Sequence, residues 1–407
     1  MSTAPDVLDS LDTTNAWQEE LYIHLHQNPE LSMQETETAA EVTRRLTSFG
    51  YVVHQIGGGV VGVMTNGDGP TVLFRADMDA LPVAETTGLP YASTKTGVDA
   101  DGNTVPIMHA CGHDMHVAAG LGAAELLSLH KDKWAGTYIA LFQPGEETAE
   151  GAQAMVDNGL LDTVPTPDVA LSQHVLTTPE SGKVGTTAGP VLSTAASIRI
   201  TVWGKGSHGA MPHLGIDPVV LSAAIVQRLQ GIVAREIAPS QFGVVTVGSL
   251  QAGFKANIIP DSATLLLNIR AYDTEVREKL IAAIQRIVNA ECEASGSPKP
   301  AEFHFYDSYP LTDNDQVVSD RITDAFKAYF GADRVEELAP VPASEDFSNI
   351  PTAWGIPYTY WGFGGFTPGQ TVLPNHNPGF APALQPSLRT GTEAAVVAAL
   401  SYLGKES

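Results

Sequence analysis

The sequence predicts an α/β domain, a mixed sheet flanked by helices, interrupted by an inserted ferredoxin-like βαββαβ module. Three observations predict it. The chain has 407 residues, beyond the length at which one hydrophobic core stops growing, so two domains are the default. Short apolar runs alternate with helical segments in its first part, and between about Val191 and Phe305 the order changes to strand, helix, strand, strand, helix, strand. The expected division is 1–190 with 306–407 for the sheet domain and 191–305 for the insert.

Taken in order, Asn15–His26 and Glu35–Phe49 carry apolar residues at helical spacing. Gly50 follows the second where a C′ glycine belongs, so a helical pair opens the chain. Thr71–Ala76, Tyr138–Phe142 and Val169–Ser172 are predicted strands, with helical segments at Met115–Leu129 and Ala149–Asn158. The chemistry-bearing residues fall just beyond these strands or at the mouth of a helix, where open α/β sheets place their ligand crevices. In the insert the pattern reads strand Ile198–Trp203, helix Pro218–Glu236, strands Val244–Leu250 and Ala263–Arg270, helix Glu275–Glu293 and strand Glu302–Phe305. The first domain then resumes at Tyr306 and finishes with an Ala-rich helix near Thr392–Leu403. Gly362–Pro382 reads as a long functional loop.

Composition excludes several classes. Lys plus Arg total 22 against 46 Asp plus Glu, a net charge of -24 that repels phosphate backbones and anionic lipid. Nucleic acid and membrane partners are not expected. The first residues, MSTAPDVLDSLDTT, lack the basic and apolar regions of a secretory signal, and no stretch approaches the roughly 20 apolar residues of a membrane span. Two cysteines, Cys111 and Cys292, are too few for a disulfide framework, and a reducing cytoplasm fits them best.

The segment His109–His116 reads HACGHDMH, three histidines, a thiol and a carboxylate in eight residues. Cys, His and Glu side chains all bind zinc and its first-row neighbours, and the Cys111–His113 spacing lets two donors reach one site from a turn. Taken alone, that pair reads equally as a small buried hydrophobe beside a core histidine. Adding His174, His376 and the Glu146–Glu147 pair shifts the reading to a two-metal hydrolase.

Five motifs follow one another in order: FRADMDALP (Phe74–Pro82), MHACGHD (Met108–Asp114), QPGEE (Gln143–Glu147), GKGSHGAMP (Gly204–Pro212) and SED (Ser344–Asp346). With them the chain resembles, from about His24 to Pro382, the amidohydrolase branch of the aminoacylase and carboxypeptidase family of binuclear metallopeptidases. That branch includes hippurate hydrolases, N-acyl-amino-acid amidohydrolases and plant auxin-conjugate hydrolases. The resemblance implies a metal pair held by Cys111, His113, Glu147, His174 and His376, with Cys111 bridging. It implies Glu146 as general base and Asp79 as the carboxylate that orients a ligand. Asp77 stands where many members of the wider family carry a metal-binding histidine, and no role is assigned to it.

By the same resemblance His208 donates to the tetrahedral oxyanion, supplied in dimeric members by the insert of the neighbouring subunit. Asn257 and Arg270 hold the substrate's backbone and free carboxylate. Read without the resemblance, His208 is a surface histidine in a Gly-rich turn and Arg270 an exposed strand residue in a salt bridge. His116 reads as a structural partner and Cys292 as a small buried residue; His109 and His213 receive no role. The aromatics Tyr358, Tyr360, Trp361 and Phe363 alternate as a strand in the core, although Phe363 and Phe366 near the loop are candidates for an acyl pocket.

The implied activity is metal-assisted hydrolysis of N-acyl or N-aroyl amino acids by a homodimer or higher homo-oligomer. Two divalent cations are expected, Zn2+ first and Mn2+, Co2+ or Ni2+ as substitutes. A carboxypeptidase or dipeptidase of the same fold is the nearest alternative. A thiol hydrolase using Cys111 as nucleophile, or a metal-binding scaffold without activity, are alternatives of other classes.

Overall fold

The computed structural model describes residues 3–405; Met1, Ser2, Glu406 and Ser407 lie outside the described residues. The chain divides into two compact units. One comprises the residues up to Val191, Asp313–Ala339 and those from Asp346 onward, and the other comprises Leu192–Thr312 with Pro340–Glu345.

In the first unit, helix α1 (Leu11–Gln27) buries Leu11, Thr14, Gln18, Leu21, Tyr22 and Leu25, a stripe at helical spacing that starts one turn before the predicted Asn15. Helix α2 (Thr36–Ser48) buries Thr38, Val42 and Leu46, and Gly50 follows it at φ +85 as the predicted cap. A hairpin not anticipated from the sequence comes next, β1 (Val52–Ile56) and β2 (Gly59–Asn66). Gly57 and Gly58 between them both have positive φ, the conformation a two-residue hairpin turn requires. Strand β3 (Thr71–Asp77) is buried from Val72 on. Helix α3 (His113–Leu129) is apolar nearly all round and correspondingly buried. Strand β4 (Gly136–Gln143), helix α4 (Gly151–Asp157), strand β5 (Val169–Glu180) and strand β6 (Val184–Thr186) follow. Strand β5 runs well past the predicted Ser172, so His174 lies inside a strand and not beyond one.

The second unit contains β7 (Thr194–Trp203), α5 (Pro218–Leu229), β8 (Gly243–Ala252), β9 (Ser262–Ala271), α6 (Thr274–Ala294) and β10 (Glu302–Tyr309). The sheet order is β8-β9-β7-β10 with every pairing antiparallel, the ferredoxin-like arrangement. Along β9 every second residue, Ala263, Leu265, Leu267, Ile269 and Ala271, is buried in a core shared with α5 and α6. Asp217 and Asp273 cap the two helices by accepting from the Val219 and Glu275 amides at 2.8 and 2.7 Å. Two boundaries differ from expectation. The first helix breaks before Gly231, leaving Gly231–Arg235 as a separate turn. The last strand continues to Tyr309, four residues past Phe305, its pairing with β7 carried on through a register shift from Ser197–Tyr306 to Ala195–Tyr309.

The first unit resumes with α7 (Gln316–Phe330), β11 (Val335–Glu337), β12 (Tyr358–Phe366) and α8 (Leu384–Leu403). Its mixed sheet runs β1-β2-β4-β3-β5-β12-β6-β11, and β4, β3, β5 and β12 at the centre are parallel. Central parallel strands are covered on both faces, which accounts for apolar runs such as Val72–Phe74 and Tyr138–Phe142. The expected loop from Gly362 therefore begins as strand. Phe363 and Phe366 are core residues: Phe363 packs against the His116 ring at 6.0 Å and Phe366 against Phe380 at 5.7 Å, so neither lines an acyl pocket. Among the described residues no helix is long and apolar enough to cross a membrane.

Candidate metal centre

The carboxyl ends of the central parallel strands supply the carboxylates: Asp77 and Asp79 follow from β3, and Glu146 and Glu147 from the turn after β4. His174 projects from within β5, opposite Gly362 of β12. Cys111 and His113 flank Gly112, which opens α3 at φ +84. A Cβ at Gly112 would lie 2.4 Å from the Val175 side chain, so the tight entry into the helix requires glycine. His376 lies in the irregular segment after β12, with a φ of +69, and its amide donates to the Ala110 carbonyl at 2.8 Å.

These segments converge on two donor sets that share one sulfur. Cys111, His113 and His174 place one donor atom each within 4.8 Å of one another, and so do Cys111, Glu147 and His376. Cys111 Sγ lies 3.4 Å from His174 Nε2, and Glu147 Oε2 lies 3.2 Å from His376 Nε2. A third cluster of the same size joins His113, Glu146 and Glu147. Glu146 is 6% exposed, so a carboxylate capable of taking a proton sits beside the donors and largely out of water.

Hydrogen bonds settle how the rings face. His174 Nδ1 donates to the Val175 carbonyl at 2.7 Å, which leaves the Nε2 lone pair toward Cys111. His113 Nδ1 meets Asp79 Oδ1 at 3.1 Å, and its buried Nε2 has no hydrogen-bond partner. Asp79 is itself fixed, its Oδ2 accepting from Ser32 Oγ at 2.7 Å and from the Glu147 amide at 2.9 Å. Imidazoles that spend one nitrogen on a carbonyl or carboxylate and turn the other inward are arranged as metal-binding histidines are.

The electrostatics agree. Burial and the neighbouring His116 hold the His174 imidazole well below its usual range, hence neutral. Burial pulls His113 down, but the Asp77 charge, the Asp79 hydrogen bond and Cys111 together hold it well above. Cys111 and Glu147 push the half-exposed His376 up to about 10. Two of the three imidazoles, His113 and His376, are thus drawn toward the positive form by the neighbouring carboxylates and thiol, an environment that favours positive charge. The thiol, carboxylate and imidazole donors and the orphaned His113 Nε2 fit a pair of divalent cations.

His116 is placed otherwise. Its Nε2 accepts from the Val175 amide at 2.8 Å and its Nδ1 donates to Asp77 Oδ1 at 2.5 Å, so both nitrogens are used. Asp77 Oδ2 in turn accepts from Arg75 Nη1 at 2.7 Å. The wholly buried Arg75 also donates through Nε to Gln143 Oε1 at 2.8 Å, and Gln143 Nε2 donates to Asp346 at 2.6 Å. Asp346 further accepts from the Ala152 amide at 3.0 Å, which ties both sides of the glutamate turn to the strand beneath. His109 is buried with no partner at either ring nitrogen, and burial pushes it down to about 4. Ser32, Arg75 and Gln143 had no place in the sequence reading, although two of them lie inside the quoted motifs.

The remaining candidates lie in the second unit. His208 pairs with Ile258 in a two-residue ribbon and is exposed; its Nδ1 accepts from the Ala210 amide at 3.1 Å. Asn257 is exposed, and its carbonyl accepts from the Gly209 amide at 2.8 Å. Arg270 donates through Nη1 to the Pro342 carbonyl at 2.7 Å and Ser344 Oγ at 3.1 Å, and through Nε to Asn268 at 3.1 Å. His213 is exposed in a 3-10 turn, and Cys292 is buried on α6.

Residues 73–400 match the sequence profile of peptidase family M20/M25/M40. The chain is 37% identical to thermostable carboxypeptidase 2 of Saccharolobus solfataricus over 94% of each chain. It is 36% identical to an N-acetyl-L-cysteine deacetylase of Bacillus subtilis, over 80% of this chain and 75% of that protein. Among solved structures, a dinuclear metal-binding M20 peptidase from Bacillus subtilis superimposes with a TM-score of 0.78 at 27% identity, covering 96% of this chain and 98% of the other.

Proposed function

This chain belongs to peptidase family M20/M25/M40 and is a hydrolase, and we propose that it is a binuclear amidohydrolase cleaving N-acyl or N-aroyl-L-amino acids to a carboxylic acid and a free amino acid. The observation that carries this reading is the sharing of Cys111 between two donor sets, Cys111–His113–His174 and Cys111–Glu147–His376. One thiolate common to two sets is what a bridging ligand requires. Cations bound there, Zn2+ first and Mn2+, Co2+ or Ni2+ as substitutes, supply polarisation of the amide carbonyl and a water of lowered pKa.

The residues then divide the work. Glu146, buried beside the donors, removes the proton of the attacking water and returns it to the departing amine. Glu147 remains with the cations, and Asp79 keeps His113 in the tautomer that presents Nε2. His208 suits an oxyanion donor: its Nδ1 accepts a backbone hydrogen bond, so the neutral ring carries its proton on Nε2. We assign the second unit to a lid and dimerisation module, with His208 supplied to the neighbouring subunit. Asn257 and Arg270 take the substrate's backbone and carboxylate, and the Arg270 Nη2 group carries none of the bonds described above. A reducing cytoplasmic setting suits the thiol.

A second reading, a carboxypeptidase or dipeptidase, is favoured by the likeness to thermostable carboxypeptidase 2. A thiol-hydrolase reading finds Cys111 and His174 3.4 Å apart, but His174 Nδ1 is bound to a carbonyl and not to the carboxylate that would stabilise an imidazolium. Acetyl-, benzoyl- and dipeptidyl-amino acids assayed before and after chelation separate the three. N-acyl substrates should be preferred and activity lost on chelation. Preference for dipeptides would establish the second reading, and activity that survives chelation but not iodoacetamide the third.

A further inference from the structure

The connection between α1 and α2 carries a buried acid that the reaction as described leaves unused. Glu35 precedes α2 at its N-cap position, yet its side chain caps nothing. The cap comes from Glu30, whose carboxylate accepts from the Glu37 and Thr38 amides at 3.0 and 2.8 Å. Glu35 is 4% exposed, and its Oε1 accepts instead from the Met33 amide at 3.0 Å and from the Gly145 amide at 2.7 Å, 110 residues away.

Gly145 immediately precedes Glu146 and Glu147. It has a φ of +53, and a Cβ there would lie 2.5 Å from Met33 Sδ, so the turn is seated directly on this connection. The same connection reaches the other carboxylate of the site, since Ser32 Oγ donates to Asp79 Oδ2 at 2.7 Å and the Ala80 amide donates to the Glu30 carbonyl at 2.8 Å. Keeping a carboxylate in such a place is costly: burial and the nearby Asp79 push Glu35 up to about 7.

From these contacts we propose that Glu35 is a positioning residue: by holding the Gly145 amide it sets the aim of Glu146 as base and of Glu147 toward the cations. This rests on the reading of those two glutamates given above. The role needs an acceptor at a fixed place, so Gln, which keeps Oε1, should substitute where Ala cannot.

The test measures kcat and KM on N-acyl amino acids, and Co2+ titration of the metal-stripped protein, for Glu35→Gln and Glu35→Ala. Glu35→Ala should lower kcat about 100-fold, as a displacement of about 1 Å does, with KM changed less than about threefold. It should weaken Co2+ binding about 10-fold or more, while Glu35→Gln stays within about threefold of the parent in both. Glu35→Ala with full turnover and Co2+ affinity, whatever its melting temperature, overturns the proposal. Glu35→Gln failing as badly as Glu35→Ala overturns it too, assigning the role to charge. Should Glu35→Ala not fold, Glu35→Asp, one methylene short of both amides, replaces it under the same criteria. If the parent hydrolyses no N-acyl amino acid, the substrate reading fails alone, and the Co2+ titration still decides Glu35.

Discussion

Replacing Asp79 by Asn tests the orientation of His113 with almost no change of shape. The wild-type carboxylate makes three bonds: Oδ1 to His113 Nδ1 at 3.1 Å, and Oδ2 from Ser32 Oγ at 2.7 Å and the Glu147 amide at 2.9 Å. An amide cannot serve all of them. With its oxygen on His113, its NH2 faces the Glu147 N–H, donor against donor, and loosens the glutamate turn. Flipped, its NH2 faces His113 Nδ1 and moves the ring proton to Nε2, the nitrogen that faces the donors. Ser32 can rotate its hydroxyl to accept in the first orientation, so it offers no escape from either conflict. Either outcome should weaken metal binding about 10–100-fold, roughly 1.4–2.7 kcal/mol. Ser32→Ala, removing one hydrogen bond, should cost only about 1 kcal/mol of stability. Competition with a chromophoric chelator measures the affinity. Asp79→Asn binding metal within about twofold of the parent would refute the tautomer argument.

Other consequences are equally direct. Glu146→Gln should lower kcat about 10²–10⁴-fold with metal content unchanged by elemental analysis, and a variant retaining turnover would remove Glu146 from the mechanism. Cys111→Ala should lose both cations together, and a stable one-metal form with half the content would contradict the bridging assignment. A pH effect is expected away from the centre. Burial pulls His26 down, but hydrogen bonds to Asp114 at 2.7 Å and Glu85 at 3.1 Å push it up to about 10 from an ordinary 6.5. Its folded value being raised, the stabilisation is complete below about 6.5 and disappears as pH rises through about 10. Melting curves of His26→Gln should therefore lie below the parent at neutral pH and converge with it in alkali; a constant gap up to pH 11 or so would count against this.

What could be read from the chain follows from where periodicity and motif survive. Strands Thr71–Asp77 and Gly136–Gln143 are buried on both faces and so carry continuous apolar runs, Val72–Phe74 and Tyr138–Phe142. The antiparallel insert reads through its alternation, clearest in Ser262–Ala271. The hairpin at Val52–Asn66 escaped because glycines interrupt its apolar runs, although Gly57-Gly58 between two valine-rich stretches was the available signal. The sequence sets His174 beyond a strand because polar Gln173 and His174 read as an ending, whereas burial against β12 and α8 carries the strand on. Chemistry concentrated in a short motif, as around Cys111, is visible in one dimension. The supports are not: Ser32 and Glu35 are single polar residues whose meaning depends on contacts 47 and 110 positions distant, and Asp346, although it closes the SED motif, acts through Gln143 and Arg75, 203 and 271 positions away.

One sulfur standing in both donor sets also concentrates vulnerability. Were Cys111 converted to a sulfenic or sulfinic acid, each set would lose the same member in a single event, leaving no partly assembled remnant to work at reduced rate. At 7% exposure, and with the Asn375 amide 3.5 Å from its Sγ, the thiol is screened by the very loop that brings His376. Shielding from oxidants and assembly of the centre thus depend on the same stretch of backbone.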